Sequence, residues 1–234
     1  MNITAKLLDW MGSDMTVVNA ARVSFDQSSE ELGQSGVVGQ HMTPVLKDGD
    51  KRLIRYLAKH KHLSPFGHCF ASFYVSCPVF VARQLVKHSY LRINEVSRRY
   101  VKSRPEFHEP EVWRGQAKDK KQGSWGRVDL WNVVDGRNPP FAIFETFQHY
   151  QKLQVELYTS MLEAGVCEEQ ARMVLPANLI THFYWSGSLD AFAKMANLRC
   201  AGDSQYETRL VAQDISTEMA ELFPYSWAAL RSMT

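Results

Sequence analysis

The 234-residue chain has no CxxC pair, no long apolar run, no internal repeat and no marked excess of either charge. Its four cysteines, Cys69, Cys77, Cys167 and Cys200, are scattered. That argues against a zinc ribbon and for a reducing compartment, the cytoplasm. Charges interrupt every apolar run well short of a membrane span, so no membrane partner is expected. The stretch MNITAKLLDWMGSD lacks a basic segment followed by a long apolar core, and no secretory leader is expected there. A net charge of +2 is too small for broad coating of nucleic acid. What remains is an ordinary globular composition, 45% hydrophobic and 22% charged. The chain is long enough to bury a substantial core.

Against this even background, cations crowd into residues 83–100, RQLVKHSYLRINEVSRRY. Arg83, Lys87, His88, Arg92, Arg98 and Arg99 are interleaved with Gln84, Asn94, Glu95 and Ser97. Phe80, Leu85 and Val86 have helical spacing, which predicts a helix over Val79 to Tyr90. Val96 to Val101 lacks that stripe and reads as extended. A basic run is usually a solvated face or a nucleic-acid patch. Here Asn94, Glu95 and Ser97, set among the cations, tip the reading toward a phosphate-bearing ligand, for which Arg offers a fork and Lys a point charge.

Elsewhere the chain reads as one α+β domain, residues 1–234, with a central antiparallel or mixed sheet flanked by helices. Strands are predicted at 3–10, at Phe70 to Val75 and at Leu179 to Trp185. The second, apolar at successive positions, reads as buried on both faces. Helices are predicted at Thr16 to Arg22, at Asp48 to His60 capped by Asp48 or Asp50, at Phe141 to Ala164 and at Glu168 to Val174. Two more run from Ser186 or Ser188 to Arg199 and from Ser204 to Phe223, the last stopped by Pro224. Residues 26–43 are Gly-rich and aperiodic and read as a mobile loop, of the kind that covers sites. Residues 103–140 read as an irregular surface excursion. Its tryptophans and lysines could stack on nucleic acid, but its acidic residues argue against that partner. His60, His62 and His68 invite a metal reading. With no cysteine or carboxylate at ligand spacing nearby, no metal is expected.

Taken together, these residues resemble the flavin-dependent thymidylate synthases. The family signature is RHRxxSxNExSxRY, and residues 87–100 read KHSYLRINEVSRRY. His88, Asn94, Glu95, Ser97, Arg99 and Tyr100 match; Lys87, Ser89 and Arg92 depart. The blocks NAARVSF, HLSPFGH, FVARQ, ARMVLPANLITHFYW and NLRCAGDSQYE occur in family order over nearly the full chain.

The resemblance implies methylation of dUMP at C5 to dTMP. Methylenetetrahydrofolate is then the carbon donor, and FAD reduced by NADPH carries the hydride. It implies a homotetramer with active sites where subunits meet, and no cysteine nucleophile. It places Gln84, Glu95, Ser97, Arg98, Arg99 and Arg172 on dUMP, Arg172 coming from a neighbouring subunit. Arg199 becomes the catalytic grip on the pyrimidine carbonyls. It places Ser24, His62, Ser64, Lys87, His88, Ser89, Asn94, Ser188 and Lys194 at the FAD site. Arg92 is expected as a relocated cation there, about one and a half turns beyond Lys87 if the helix continues. Asp190 stands where the family carries a flavin-contacting Arg, and Gly67 where an acidic residue is common. Because the departures cluster on the flavin side, two alternatives stay open. One is a relative acting on a different pyrimidine nucleotide. The other is a nucleotide-binding homologue with a degraded flavin site.

Overall fold

Two long strands, FASFYVSCP and ITHFYWSGS, organise the fold. In this computed structural model, residues 3–30, 34–38, 41–101, 103–118, 123–137 and 142–232 are described. First come strand β1 (Thr4–Met11), helix α1 (Asp14–Arg22) and a 3-10 turn, Val23–Phe25. A ribbon of β2 (Gln34–Val38) and β3 (His41–Pro44) precedes α2 (Asp48–Lys59) and a second 3-10 turn, Ser64–His68. Strand β4 (Phe70–Pro78) runs directly into α3 (Val79–Leu85), and β5 (Leu91–Glu95) follows. A small hairpin, β6 (Arg114–Gln116) and β7 (Ser124–Arg127), leads to α4 (Ile143–Glu163) and α5 (Glu168–Ala171). The chain then forms β8 (Ile180–Ser188), α6 (Leu189–Arg199), α7 (Tyr206–Leu222) and α8 (Pro224–Arg231).

The main sheet has the order β1-β4-β8-β5, and all three pairings are antiparallel. Ala71, Phe73, Val75 and Cys77 of β4 face the core with Phe183 and Trp185 of β8. Helices α6, α7 and α8 cover this face, with α1 and α2 beside them. Phe192 of α6 packs edge-on against Phe73 and Trp185, at 5.3 and 5.6 Å between ring centroids. The opposite face is open. Phe70 and Tyr74 are exposed there, as is Tyr184. Strand β4 is therefore buried on one face and not on both, because among the described residues no helix of the same chain crosses the second face.

Other expectations also change. Helix α3 ends at Leu85, five residues short of Tyr90, and the strand lies at Leu91–Glu95; residues 98–100 form a turn. Segment 26–43 contains the β2–β3 ribbon, and Asn19 ties its start by donating to the Ser29 carbonyl and accepting from the Ser29 N–H. The mobility expected of it falls partly on residues 31–33, 39 and 40, which lie outside the described residues, as do 102, 119–122 and 138–141 of the excursion. Asp50 is not a cap. It is buried and takes Arg22 Nη2 at 2.6 Å and Ser29 Oγ at 3.0 Å, while Lys47 holds the cap position of α2. Pro224 ends α7 but also begins α8, which the sequence reading lacked; a proline costs nothing at a first helical position, whose N–H is unpaired anyway. No helix among the described residues is long and apolar enough to cross a membrane.

Asp14 joins the two ends of the chain. Its buried carboxylate accepts from the N–H groups of Tyr225 at 3.0 Å and Ser226 at 2.8 Å, the open donors of the first turn of α8. Burial pushes its pKa up, against the hydrogen bonds that pull it down. Asp14→Ala would strand both donors and is expected to cost about 1–3 kcal/mol. Asp14→Asn keeps one acceptor and should cost less. Urea unfolding of both variants checks the order.

Candidate functional site

Strand–helix units carry the candidate site. Helix α3 leaves β4 and α6 leaves β8, and each brings one end of the cation-rich constellation to the helical side of the sheet. At the C-terminal end of α6, the Arg199 Nε–H donates to His88 Nε2 at 2.9 Å and Nη2 donates to the Gln84 carbonyl at 3.2 Å. Gln84 and Arg199 line a cavity of about 560 Å³ with Arg114, Gly123, Ser124, Asp203, Ser204 and Gln205. His88 was expected at the flavin; here it holds Arg199. Burial, then the charges of Arg199 and Lys194, push its pKa down from 6.5 to about 4. The imidazole is therefore neutral, its proton on Nδ1 and its Nε2 lone pair on the guanidinium.

A second, larger hollow of about 850 Å³ collects Glu95, Ser97, Arg98 and Arg172 with Arg83 and Glu169. Glu95, on the core side of β5, accepts from Thr181 Oγ at 2.6 Å. Arg99 pairs with Glu169 at 3.1 Å, and Arg172 Nε lies 3.4 Å from the Glu169 carbonyl. Six of the seven residues expected on dUMP thus fall in two groups, and Arg99 lines neither hollow. Gln84 and Arg199 line one hollow, and Glu95, Ser97, Arg98 and Arg172 line the other. The two hollows share no lining residue.

The residues expected at FAD are less tightly gathered. Lys87 and Ser89 are exposed in the turn after α3. Lys194 is exposed on α6. Ser24 and Ser64 are exposed on the 3-10 turns Val23–Phe25 and Ser64–His68, the second of which packs against both α1 and α6. His62 is exposed and stacks on Tyr56, 6.2 Å between centroids. Ser188 is buried, and its Oγ donates to Asp190 at 2.6 Å. The helix does not continue to Arg92. That residue lies on β5 opposite Ser186, and Asn94 lies opposite Tyr184, so both share the open face of the sheet. The expected relocation of Arg92 along a helix is therefore corrected: strand alternation puts it across the sheet from His88. No group of three or more metal-ligating side chains forms among the described residues.

A close backbone approach fixes the turn. Gly187 pairs with Leu91, and a Cβ at Gly187 would strike Leu91 and the Tyr90 carbonyl. Tyr90 itself is left-handed, with φ at 65°, a costly conformation for a bulky residue. Arg114, Ser124 and Gln205 were missed by sequence reasoning, since the first two lie in the aperiodic excursion. The excursion is thus not merely surface. The buried thiols of Cys69 and Cys77 are pushed up to about 12, first by burial, which makes both poor nucleophiles.

The model of the thymidylate synthase complementing protein family (Thy1) matches residues 6–225. The flavin-dependent thymidylate synthase of Thermus thermophilus is 37% identical over 227 residues, 96% of this chain and 74% of that one. That of Thermotoga neapolitana is 34% identical over 224 residues, 96% of this chain and 88% of that one. Among solved structures, the UMP/dUMP methylase PolB from Streptomyces cacaoi, bound with 5-Br dUMP, superposes with a TM-score of 0.77 at 27% identity. The match covers 98% of this chain and 95% of that one.

One titration follows from the geometry. His88 has a folded pKa below its ordinary 6.5, so the folded state resists its protonation. Its contribution to stability is complete above 6.5 and is lost as pH falls toward about 4. Histidine side-chain NMR should show His88 Nε2 unprotonated through that window; a midpoint near 6.5 would contradict the contact with Arg199.

Proposed function

The chain belongs to the thymidylate synthase complementing protein family, and we propose that on this scaffold it is a flavin-dependent thymidylate synthase. It methylates dUMP at C5 to give dTMP. Methylenetetrahydrofolate supplies the carbon, and FAD reduced by NADPH carries the hydride. The observation that carries this reading is Arg199, held in a cavity by two neutral acceptors, His88 Nε2 and the Gln84 carbonyl. Neither neutralises its charge. Arg199 can therefore grip pyrimidine carbonyls while C5 acts as the carbon nucleophile, stabilising negative charge as it gathers on those oxygens. Ser97, Arg98, Arg99 and Arg172 take the phosphate, which replaces Glu169 as the partner of Arg99.

The separation of the two hollows supports a nucleotide site completed between copies of the chain, in a homotetramer. The open sheet face, with Met11, Phe70, Tyr74 and Tyr184 exposed, is surface that a second copy can cover. The four free thiols fit a reducing cytoplasm.

The donor set fits FAD. The exposed ammonium groups of Lys87 and Lys194 and the hydroxyls of Ser24, Ser64 and Ser89 are the partners a pyrophosphate takes. When bound, the flavin supplies the hydride; the residues of this chain bind and orient it. Lys at 87 keeps a charge without the fork of Arg, and Arg92 on the open face serves a flavin only across subunits.

Flavin absorbance and FAD titration, with and without dUMP, test the reading. Near-stoichiometric FAD and dUMP-dependent NADPH oxidation with formation of dTMP are expected. No flavin uptake in either condition would sink it. UMP belongs in the same assay, since the PolB neighbour is described as a UMP/dUMP methylase.

Arg199→Ala should lower kcat by about a hundredfold or more while leaving the thermal midpoint in place. Arg172→Ala should raise the Kd for dUMP about tenfold and leave FAD affinity unchanged. Loss of FAD affinity alone in that variant would overturn the phosphate assignment.

A further inference from the structure

A relay of four side chains ties the excursion to the cavity. Arg114 of β6 pairs with Glu207 Oε1 in the first turn of α7. Glu207 is 5% exposed. Its Oε2 accepts from Gln205 Nε2 at 3.1 Å. Gln205 Oε1 in turn accepts from Gln84 Nε2. Gln84 Oε1 accepts from Thr208 Oγ at 3.2 Å, and its main-chain oxygen holds Arg199. Arg114, Gln84, Gln205 and Arg199 all line the 560 Å³ cavity.

The direction of every bond follows from one charge. An ionised carboxylate only accepts. Gln205 must therefore turn its NH2 to Glu207, which leaves its oxygen facing Gln84. Gln84 must then present its NH2 to Gln205 and its oxygen to Thr208. A neutral amide in place of Glu207 could donate as well as accept, and the chain of amides could flip. Arg114 keeps the carboxylate ionised. Burial would push the Glu207 pKa up, but the hydrogen bond and charge of Arg114, with Gln205, hold it below the usual carboxylate range. Ser124 Oγ accepts from Arg114 Nε at 2.9 Å, and the Tyr206 ring lies 4.8 Å beneath the guanidinium, so the cation is itself held in place.

We propose that Glu207, clamped by Arg114, is a positioning residue that sets the amide orientation of Gln205 and Gln84, and with it the donor and acceptor pattern the cavity presents to a pyrimidine nucleotide. The nucleotide part of this inference rests on the dUMP reading above; the amide orientation does not.

The test has two arms. In the first, side-chain amide NMR signals of Gln84 and Gln205, assigned by their loss in Gln84→Ala and Gln205→Ala, are recorded without ligand. In Glu207→Gln both should shift and exchange faster. Unchanged signals would overturn the relay whatever the protein binds. In the second, dUMP affinity is measured by calorimetry. Glu207→Gln should raise Kd about tenfold in the native background and clearly less in a Gln84→Ala background, where only Gln205 remains to respond. Equal penalties in both backgrounds would mean that Glu207 acts by some other route, and the positioning role falls. If the amide signals move but the native protein binds no dUMP, the relay stands and the dUMP reading falls. Should Glu207→Gln not fold, Gln205→Met cuts the relay while sparing the Arg114–Glu207 pair. It faces both arms, read there on the Gln84 signals.

Discussion

A guanidinium that pairs with no carboxylate among the described residues is the constraint around which this molecule is built. Arg99 and Arg114 are each matched to a carboxylate, Glu169 and Glu207. Arg199 is held by a neutral imidazole and a carbonyl oxygen instead. Removing a cation from water without neutralising it is costly, and good hydrogen bonds offset only part of the cost. The arrangement survives because the core fixes both holders. His88 lies in a turn pinned by the β5–β8 pairing and the close contact at Gly187, and Gln84 lies on a helix that grows directly out of β4. The charge is thereby kept available to whatever enters the cavity.

The same logic separates the two hollows. The larger one gathers Arg83, Arg98 and Arg172 but contains Glu95 and Glu169 as well, so its cations are partly compensated until a stronger anion arrives. A phosphate dianion competes well for such groups, since its oxygens match the guanidinium fork and carry more charge than one carboxylate. The smaller one is polar and directional, its pattern set by amides. On the proposed reading, charge capture and ring recognition fall to different parts of one chain.

Much of the fold was legible because period and burial agree. The apolar spacing of Leu53, Ile54, Leu57 and Ala58 marks α2, and Ile54, Leu57 and Ala58 are buried where the spacing puts them. Strand β8 and helices α6 and α7 were readable on the same ground. The region after α3 was not. The run LRINE has only two apolar residues, and it becomes a strand because β8 offers it an edge, with a left-handed Tyr90 making the turn. Pairing across some 90 residues leaves no local trace. Motifs in the sequence single out Arg199, Ser97 and Arg172, and the structure sets them in the walls of the two hollows. The site was illegible where the aperiodic excursion supplies it: Arg114 meets Glu207 across 93 positions of sequence, and neither residue announces the other.

The contacts that close the chain on itself have a kinetic meaning. Ala5 donates to Asp214, and Asp14 caps the helix that begins at Pro224, so the sequence separations are 209, 211 and 212 residues. Loop closure over such distances is slow, because chain entropy must be lost before the contacts form. During synthesis, β1 and α1 are made some 200 residues before their polar partners. During that interval β4 lacks part of its cover and its apolar residues are exposed to neighbours. Until Asp214 and the first turn of α8 are made, the segment from β1 to β4 is the part of the fold most open to association with neighbours.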